Sequence, residues 1–264
     1  MDLLTPQAIA QHLGATTRPW KLQVVEETDS TNTRLKQAAK AGAGQDIVLV
    51  ADHQTAGRGR LGRSFLSPAG SGIYMSLLLR PALPMARCTD LTVAAAVCVA
   101  RALGKLCGLQ ADIKWVNDLY VGGKKLCGIL TEGTLGQKGM ADFVVVGIGL
   151  NVGRLDCGGD AELAAIVTSL EEELGRTVDR SELIAAILWE FDHYYADMEQ
   201  NHPAMLEEYR RRMFLTGKEV TLSTDPAKRP HLVLGVDENA GLLVRTPDGG
   251  TLTLQSGEVS IRTV

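Results

Sequence analysis

Gly57-Arg58-Gly59-Arg60-Leu61-Gly62-Arg63-Ser64-Phe65-Leu66-Ser67-Pro68 opens as a dinucleotide fingerprint and then abandons it, and that departure decides the fold. The spelling satisfies G-x-G-x-x-G, and the apolar run 47–50 before it could be the strand the motif requires. A doubly wound fold also needs a helix opening at the third glycine and an acidic residue about 20 positions on. Here Ser67-Pro68-Ala69-Gly70-Ser71-Gly72 is turn chemistry, and Leu77-Leu78-Leu79-Arg80-Pro81 offers no carboxylate at that distance. The dinucleotide reading is rejected. What remains is a loop of alternating glycine and arginine in an otherwise slightly acidic chain. Glycine lets backbone N–H groups approach a ligand, and arginine presents a planar donor fork suited to carboxylate or phosphate. The segment reads as a grip for an anion, with a solvated basic loop as the alternative.

Working outward, strands are expected over 72–79, 113–115, 126–132 and 142–151. Turns at Gly122-Gly123 and Gly136 separate the last three, the pattern of an antiparallel meander rather than of repeated βαβ units. Upstream, Thr5-Pro6 starts a helix to about 13, a strand covers 21–26, Ser30 or Thr31 caps a helix to about 41, and a strand covers 46–51. An Ala-rich helix over 89–107 ends at Gly108, and further helices are expected over 161–174, 181–199 and 203–214. The triplet Arg210-Arg211-Arg212 reads as a solvated helix face or a contact for an acidic protein partner. From Lys218 the pattern changes to short alternating strands, with turns at 237–239, 247–250 and Ser256-Gly257. The expected class is α+β: a mixed, mainly antiparallel sheet with flanking helices over 1–215, and a small C-terminal all-β barrel over 216–264.

With 264 residues, 45% of them hydrophobic, the chain can bury one large core and a small one. A net charge of −4 argues against a general nucleic-acid binder, so any anion site is local. The five cysteines form no C-x-x-C pair and mostly lie in apolar stretches, as reduced core residues do. No basic stretch or apolar signal core follows Met1-Asp2, and the run 91–100 is too short to span a bilayer. A cytoplasmic protein without membrane contact is expected. About 20 residues before the first strand leave no room for a helix-turn-helix domain, so DNA is not an expected partner.

Two further segments interrupt apolar strands with polar groups. Lys114-Trp115-Val116-Asn117-Asp118 is followed by Gly123-Lys124-Lys125-Leu126-Cys127-Gly128-Ile129-Leu130, and Gly147-Ile148-Gly149-Leu150-Asn151 ends a strand on an amide between glycines. Taken alone, Lys114 and Asp118 could simply flank a hairpin. Together with Ser30-Thr31-Asn32 and His53-Gln54-Thr55-Ala56-Gly57, in this order, these segments resemble the biotin protein ligases. The resemblance covers about 24–174 by motif, and the C-terminal barrel by architecture.

That resemblance implies the class II synthetase-like fold of biotin and lipoate ligases and a two-step reaction. Biotin and Mg-ATP form biotinyl-adenylate, and a lysine of a biotin carboxyl carrier domain then takes the biotin. By position in the motifs, Ser30, Thr31, Asn32 and Gln54 would bind the ureido head. Arg58, Gly59 and Arg60 would fold over the carboxylate from a loop that is mobile without ligand. Arg63 and Phe65 would face the nucleotide, Asn117, Asp118 and Asn151 would lie on the ATP and magnesium side, and Arg58, Arg60 and Lys125 would also contact ATP and offset the repulsion between the two anions, with Arg60 as a catalytic group. Lys125 would bridge carboxylate and phosphate, and Asp118 would position or deprotonate the acceptor lysine. Metal ligands are not assigned, and a homodimer is left open. Phe65, Leu61 and Val116 depart from a usual tryptophan, basic residue and proline. The expectations include a ligase without an N-terminal DNA-binding domain. A lipoate or octanoate ligase or transferase and a non-catalytic biotin-binding protein are the alternatives.

Overall fold

The structure, a computed structural model of the chain, describes residues 4–255 and 259–261. The N-terminal part runs α1 (Pro6–His12), β1 (Lys21–Thr28), α2 (Thr31–Lys40), β2 (Ile47–Gln54), β3 (Gly72–Leu79), α3 (Thr89–Cys107), β4 (Asp112–Lys114), β5 (Asp118–Val121), β6 (Lys124–Leu135) and β7 (Ala141–Asn151). It continues with α4 (Ala161–Ile166), α5 (Leu170–Leu174), α6 (Arg180–Ala196) and α7 (Met198–Arg212). The C-terminal strands are β8 (Glu219–Leu222), β9 (His231–Val236), β10 (Leu242–Arg245), β11 (Thr251–Leu254) and β12 (Val259–Ile261).

Seven strands form one sheet in the order β1-β2-β3-β7-β6-β5-β4, with β1 parallel to β2 and the other pairs antiparallel. The pleat divides its side chains between two faces. Val48, Val50, Ile73, Met75, Leu77, Val144, Val146 and Ile148 join the large core formed with α3, α6 and α7. Ile47, Leu49, Leu78, Phe143 and Val145 point the other way and pack under Leu35 and Ala39 of α2. The α2 face is therefore covered only in part, and the functional cavity lies on its uncovered end.

Several elements differ from expectation for identifiable reasons. The strand β5 was not foreseen: the Gly122-Gly123 turn joins it to β6, in register Asp118↔Gly128 and Val121↔Lys124. The helix expected over 161–174 is broken into α4 and α5, because Val167 bridges to Lys125 and Thr168 N–H donates to the Lys125 carbonyl. Ser169 then caps α5 through a bond from Glu172 N–H. The last helix begins five residues before Pro203, since Asp197 accepts from Gln200 N–H and caps it there. Among the described residues the C-terminal strands pair in the order β11-β10-β9-β8-β12, the curled antiparallel sheet that the small C-terminal β unit was expected to form. Strands this short cannot cover their own apolar face, and the sheet instead docks on α7 and Trp115. The Ser256-Gly257 turn lies outside the described residues.

The arginine triplet is not a solvated face as a whole. Arg210 donates to the carbonyls of Val236 and Asp237, which fastens α7 to the C-terminal sheet, and Arg212 pairs with Glu208 at 2.8 Å; Arg211 is exposed. Glu208 also pairs with Arg101 of α3 at 2.6 Å. Burial pushes the Glu208 carboxyl up, but bonds from Arg101 and Arg212 and their charges outweigh it and hold it below its ordinary 4.5. A depressed folded value means that Glu208 stabilises the fold above pH 4.5 and loses that contribution as the pH falls through the folded value. Urea unfolding of wild type and Glu208→Gln should accordingly differ most near neutrality and converge in acid. A constant difference down to pH 3, about 1.5 below the unfolded carboxyl value, would contradict this.

Candidate active site

Strand register makes the floor of the cavity. Opposite Gly147 stand Ser76 of β3 and Leu130 of β6, and opposite Gly149 stand Tyr74 and Gly128. On this face β7 reads Phe143, Val145, Gly147, Gly149, Asn151, so its side chains shrink to hydrogen where α2 ends. The result is a trough in the sheet of about 340 Å³. No side chain can be added there without collision. A Cβ on Gly147 would lie 2.1 Å from Asn32 Oδ1, and one on Gly149 2.7 Å from the Phe65 ring.

One end of the trough is neutral and rich in hydrogen-bonding groups. Ser30 occupies the N-cap position of α2, but its side chain makes no capping bond. Thr31 donates through N–H (2.9 Å) and Oγ1 (3.2 Å) to Gln54 Oε1, while Gln54 Nε2 donates to Ser67 Oγ. Asn32 Nδ2 donates to the Leu130 carbonyl at 3.0 Å and to Glu132 at 3.1 Å. The buried Ser76 hydroxyl sits between Asn32 Oδ1 (2.6 Å) and Thr31 Oγ1 (2.7 Å). These groups fix one another's rotamers before any ligand arrives.

The opposite end is cationic. The glycine-arginine segment folds as a small hairpin: Gly59 N–H donates to the Arg63 carbonyl, Phe65 N–H to the Gly57 carbonyl, and Arg58 bridges Ser64. Leu61 and Gly62 turn it in the left-handed region, at φ 55° and 76°. Arg60 Nη1 donates to Asn117 Oδ1 at 2.9 Å, and Asn117 Nδ2 in turn donates to the Ile129 carbonyl. Lys125 Nζ lies 2.8 Å from Asp118 Oδ1. Burial and then the Asp118 charge push the Tyr120 hydroxyl up to about 12, so this neighbour stays protonated at neutral pH.

Behind this end, Trp115 Nε1 donates to the Ala240 carbonyl at 2.8 Å and Tyr209 Oη to the Val116 carbonyl at 3.1 Å, so α7 and the C-terminal sheet brace the 114–118 segment. Asn151 Nδ2 donates to the Thr168 carbonyl, which ties the break between α4 and α5 to the end of β7. Leu155, Leu163 and Ile166 thereby reach the cavity and give it an apolar margin.

The comparisons with known proteins agree with this geometry. Residues 24–151 match the biotin/lipoate A/B protein ligase family. The biotin--[acetyl-CoA-carboxylase] ligase of Mycobacterium tuberculosis is 31% identical over 94% of this chain and 92% of its own length. The bifunctional ligase/repressor BirA of Bacillus spizizenii is 36% identical over 83% of this chain and 68% of its own. This chain belongs to the biotin protein ligase family. Among solved structures, the biotin protein ligase of Aquifex aeolicus in complex with biotin and ATP superposes with a TM-score of 0.77, at 32% identity, over 92% of this chain and 99% of the other.

In this member of the ligase family the structure brings all the candidate residues to one cavity: Ser30, Thr31, Asn32, Gln54, Arg58, Gly59, Arg60, Arg63, Phe65, Asn117, Asp118, Lys125 and Asn151. Sequence reasoning missed several contributors, among them Leu155, Leu163 and Ile166 on the cavity margin and Ser76 beneath Thr31 and Asn32. Ser76 carries a visible signal, a lone hydroxyl inside an apolar strand. Leu155, Leu163 and Ile166 carry none, because the helix break that aims them at the cavity is made by Lys125 and Asn151. Phe65 lies with its ring over Gly149 and edge-on to Tyr74. Val116 follows Trp115 through a cis peptide bond.

Proposed function

We propose that this protein activates biotin with ATP and transfers it to a lysine of a biotin carboxyl carrier domain. A biotin carboxylate oxygen attacks the α-phosphorus of ATP, the bond from that phosphorus to the pyrophosphate oxygen breaks, and biotinyl-adenylate forms. The acceptor amine then attacks the acyl carbon, AMP leaves on the carboxylate–phosphate oxygen, and the amine gives up a proton. The observation that carries this reading is that one trough gathers neutral hydrogen-bonding groups, Thr31, Asn32 and Gln54, together with the cations Arg60 and Lys125. Biotin carries the two matching groups, a cyclic urea and a carboxylate.

In the first step two anions must meet. Arg60 and Lys125 offset their repulsion and the charge that develops on the transferring oxygens, and such donors act best when already aimed. Arg58 and Arg63 add positive potential along the same hairpin, and a closed hairpin keeps water from the adenylate. Asn117 orients Arg60. Asn151 holds the 167–169 segment so that Leu155, Leu163 and Ile166 form an apolar seat for the adenine ring, with Phe65 on the sheet side. To Asp118 we assign the task of taking the proton from the incoming amine or of holding that amine in line.

Among the described residues no three His, Cys, Asp or Glu side chains gather to hold a metal. Magnesium fits this site as a companion of the nucleotide phosphates, with Asp118 as the protein carboxylate at hand, the usual mode for this ion. It would neutralise phosphate charge there. We read 1–215 as the catalytic unit and 216–264 as a small domain that braces it through Trp115. No described helix is long and apolar enough to cross a membrane.

The test is ATP–pyrophosphate exchange with biotin, lipoate, octanoate or no added acid. Exchange with biotin alone is expected, because a fatty or lipoic acid has no ureido group to hydrogen-bond the remaining polar capacity of Thr31, Asn32 and Gln54. Exchange with one of the other acids would reassign the pocket, and exchange with none would leave a binding protein.

A further inference from the structure

Glu132, near the end of β6, does not line the trough, yet it is bonded to two residues that do. Asn32 Nδ2 donates to its Oε2 at 3.1 Å, and Arg58 Nη1 lies 3.2 Å from both carboxylate oxygens. Lys36 of α2 reaches Oε1 at 2.6 Å. One carboxylate therefore spans from the first turns of α2, under the neutral end of the trough, to the arginine hairpin that covers it. The hydrogen bonds within the hairpin, from Gly59 to Arg63 and from Phe65 to Gly57, shape it without fixing it to the sheet. Side-chain tethers do that, with Arg60 on Asn117 on one flank and Arg58 on Glu132 on the other.

The carboxylate is suited to this work. Its side chain is 18% exposed against 43% for Arg58, so the partner that stays still is the buried one and the partner on the moving loop is the solvated one. Burial tends to push its carboxyl up, but bonds from Lys36 and Asn32 and the charges of Lys36 and Arg58 outweigh this and keep it ionised. Because Lys36 supplies a second cation, Glu132 does not become an unpaired buried charge when Arg58 turns toward substrate. Such a charge would otherwise be strongly destabilising. The loop can leave and return with little penalty.

We infer that Glu132, with Lys36 as its standing counter-ion, is a positioning residue that holds the arginine hairpin over the trough through Arg58. The inference rests on the biotin ligase reading for its kinetic test, but not for its structural one.

The experiment compares wild type, Glu132→Gln, Arg58→Gln and the double variant. Glutamine keeps an acceptor for Asn32 and removes the charge. In pyrophosphate exchange, Glu132→Gln should raise the KM for biotin about ten-fold, which is about 1.4 kcal/mol, with kcat within about two-fold and little change in Tm. In the Arg58→Gln background the same change should move KM less than about two-fold, because the two residues act as one unit. An unchanged KM, an equal effect in both backgrounds, or a fall in kcat and Tm together would overturn the inference. Trypsin cleavage after Arg58 to Arg63 in the substrate-free protein gives a readout without catalysis, and should be faster in Glu132→Gln. Equal cleavage would also overturn it, whereas a wild type inactive with biotin but with the expected cleavage difference would count against the ligase reading alone.

Discussion

Replacing Lys125 with alanine is expected to lower biotin-dependent pyrophosphate exchange by about 100- to 1000-fold, the range found when one pre-aimed donor is removed from a developing oxyanion. The fold should survive. The Lys125 side chain is 30% exposed and its ion pair with Asp118 is partly screened, so losing that pair has a small effect on stability. The structural contribution of this residue is made by its backbone carbonyl, which accepts from Thr168 N–H and is untouched by the substitution. Asp118 also keeps the bond from Asn117 Nδ2. A Tm within about 4 °C of wild type should therefore accompany the kinetic loss. Arg60→Ala should behave in the same way with a further loss of order at Asn117, since the guanidinium donates to Asn117 Oδ1. Wild-type rates in both variants would remove these residues from the chemistry.

Gly147→Ala is expected to be strongly damaging for the addition of one carbon. The added methyl would sit 2.1 Å from Asn32 Oδ1 and 2.8 Å from its Cγ, in the middle of the sheet. The strand cannot yield, because β7 is hydrogen-bonded on both sides, to β3 and to β6. Asn32 must move, and it would then lose its bonds to the Leu130 carbonyl and Glu132 and its contact with the Ser76 hydroxyl. Stranding buried polar groups costs about 1–3 kcal/mol each, and overpacking adds a similar amount. A fall in Tm of at least about 6 °C is expected from scanning calorimetry, since about 2–4 °C accompanies each kcal/mol in a chain of this size. Biotin affinity, measured by isothermal titration, should drop more than about ten-fold, because Asn32 is part of the proposed head-group site. A variant with normal Tm and affinity would show that the sheet face is softer than its register implies.

Much of the site was legible in the sequence because its chemistry sits in short segments with unusual spelling. The arginine hairpin, the 114–118 strand end and Asn151 could be found without knowing how the sheet pairs. What escaped depends on partners far along the chain. Ser76 matters because β3 lies against β7 and under α2, and Glu132 because α2 and the hairpin both reach it. The break at 167–169 looked like helix, and only its pairing with Lys125 and Asn151 ends the helix there. The start of α7 was hidden by Pro203, which reads as a first-turn residue but lies well inside a helix capped by Asp197.

The trough between Gly128, Gly147 and Gly149 has a consequence for altering substrate choice. Its width comes from side chains already reduced to a hydrogen, so substitution at these three positions can only narrow it. Room for a bulkier acid has to be cut from the walls, at Leu130 or the first turn of α2, and a library aimed at analogues of the natural acid would be best confined there.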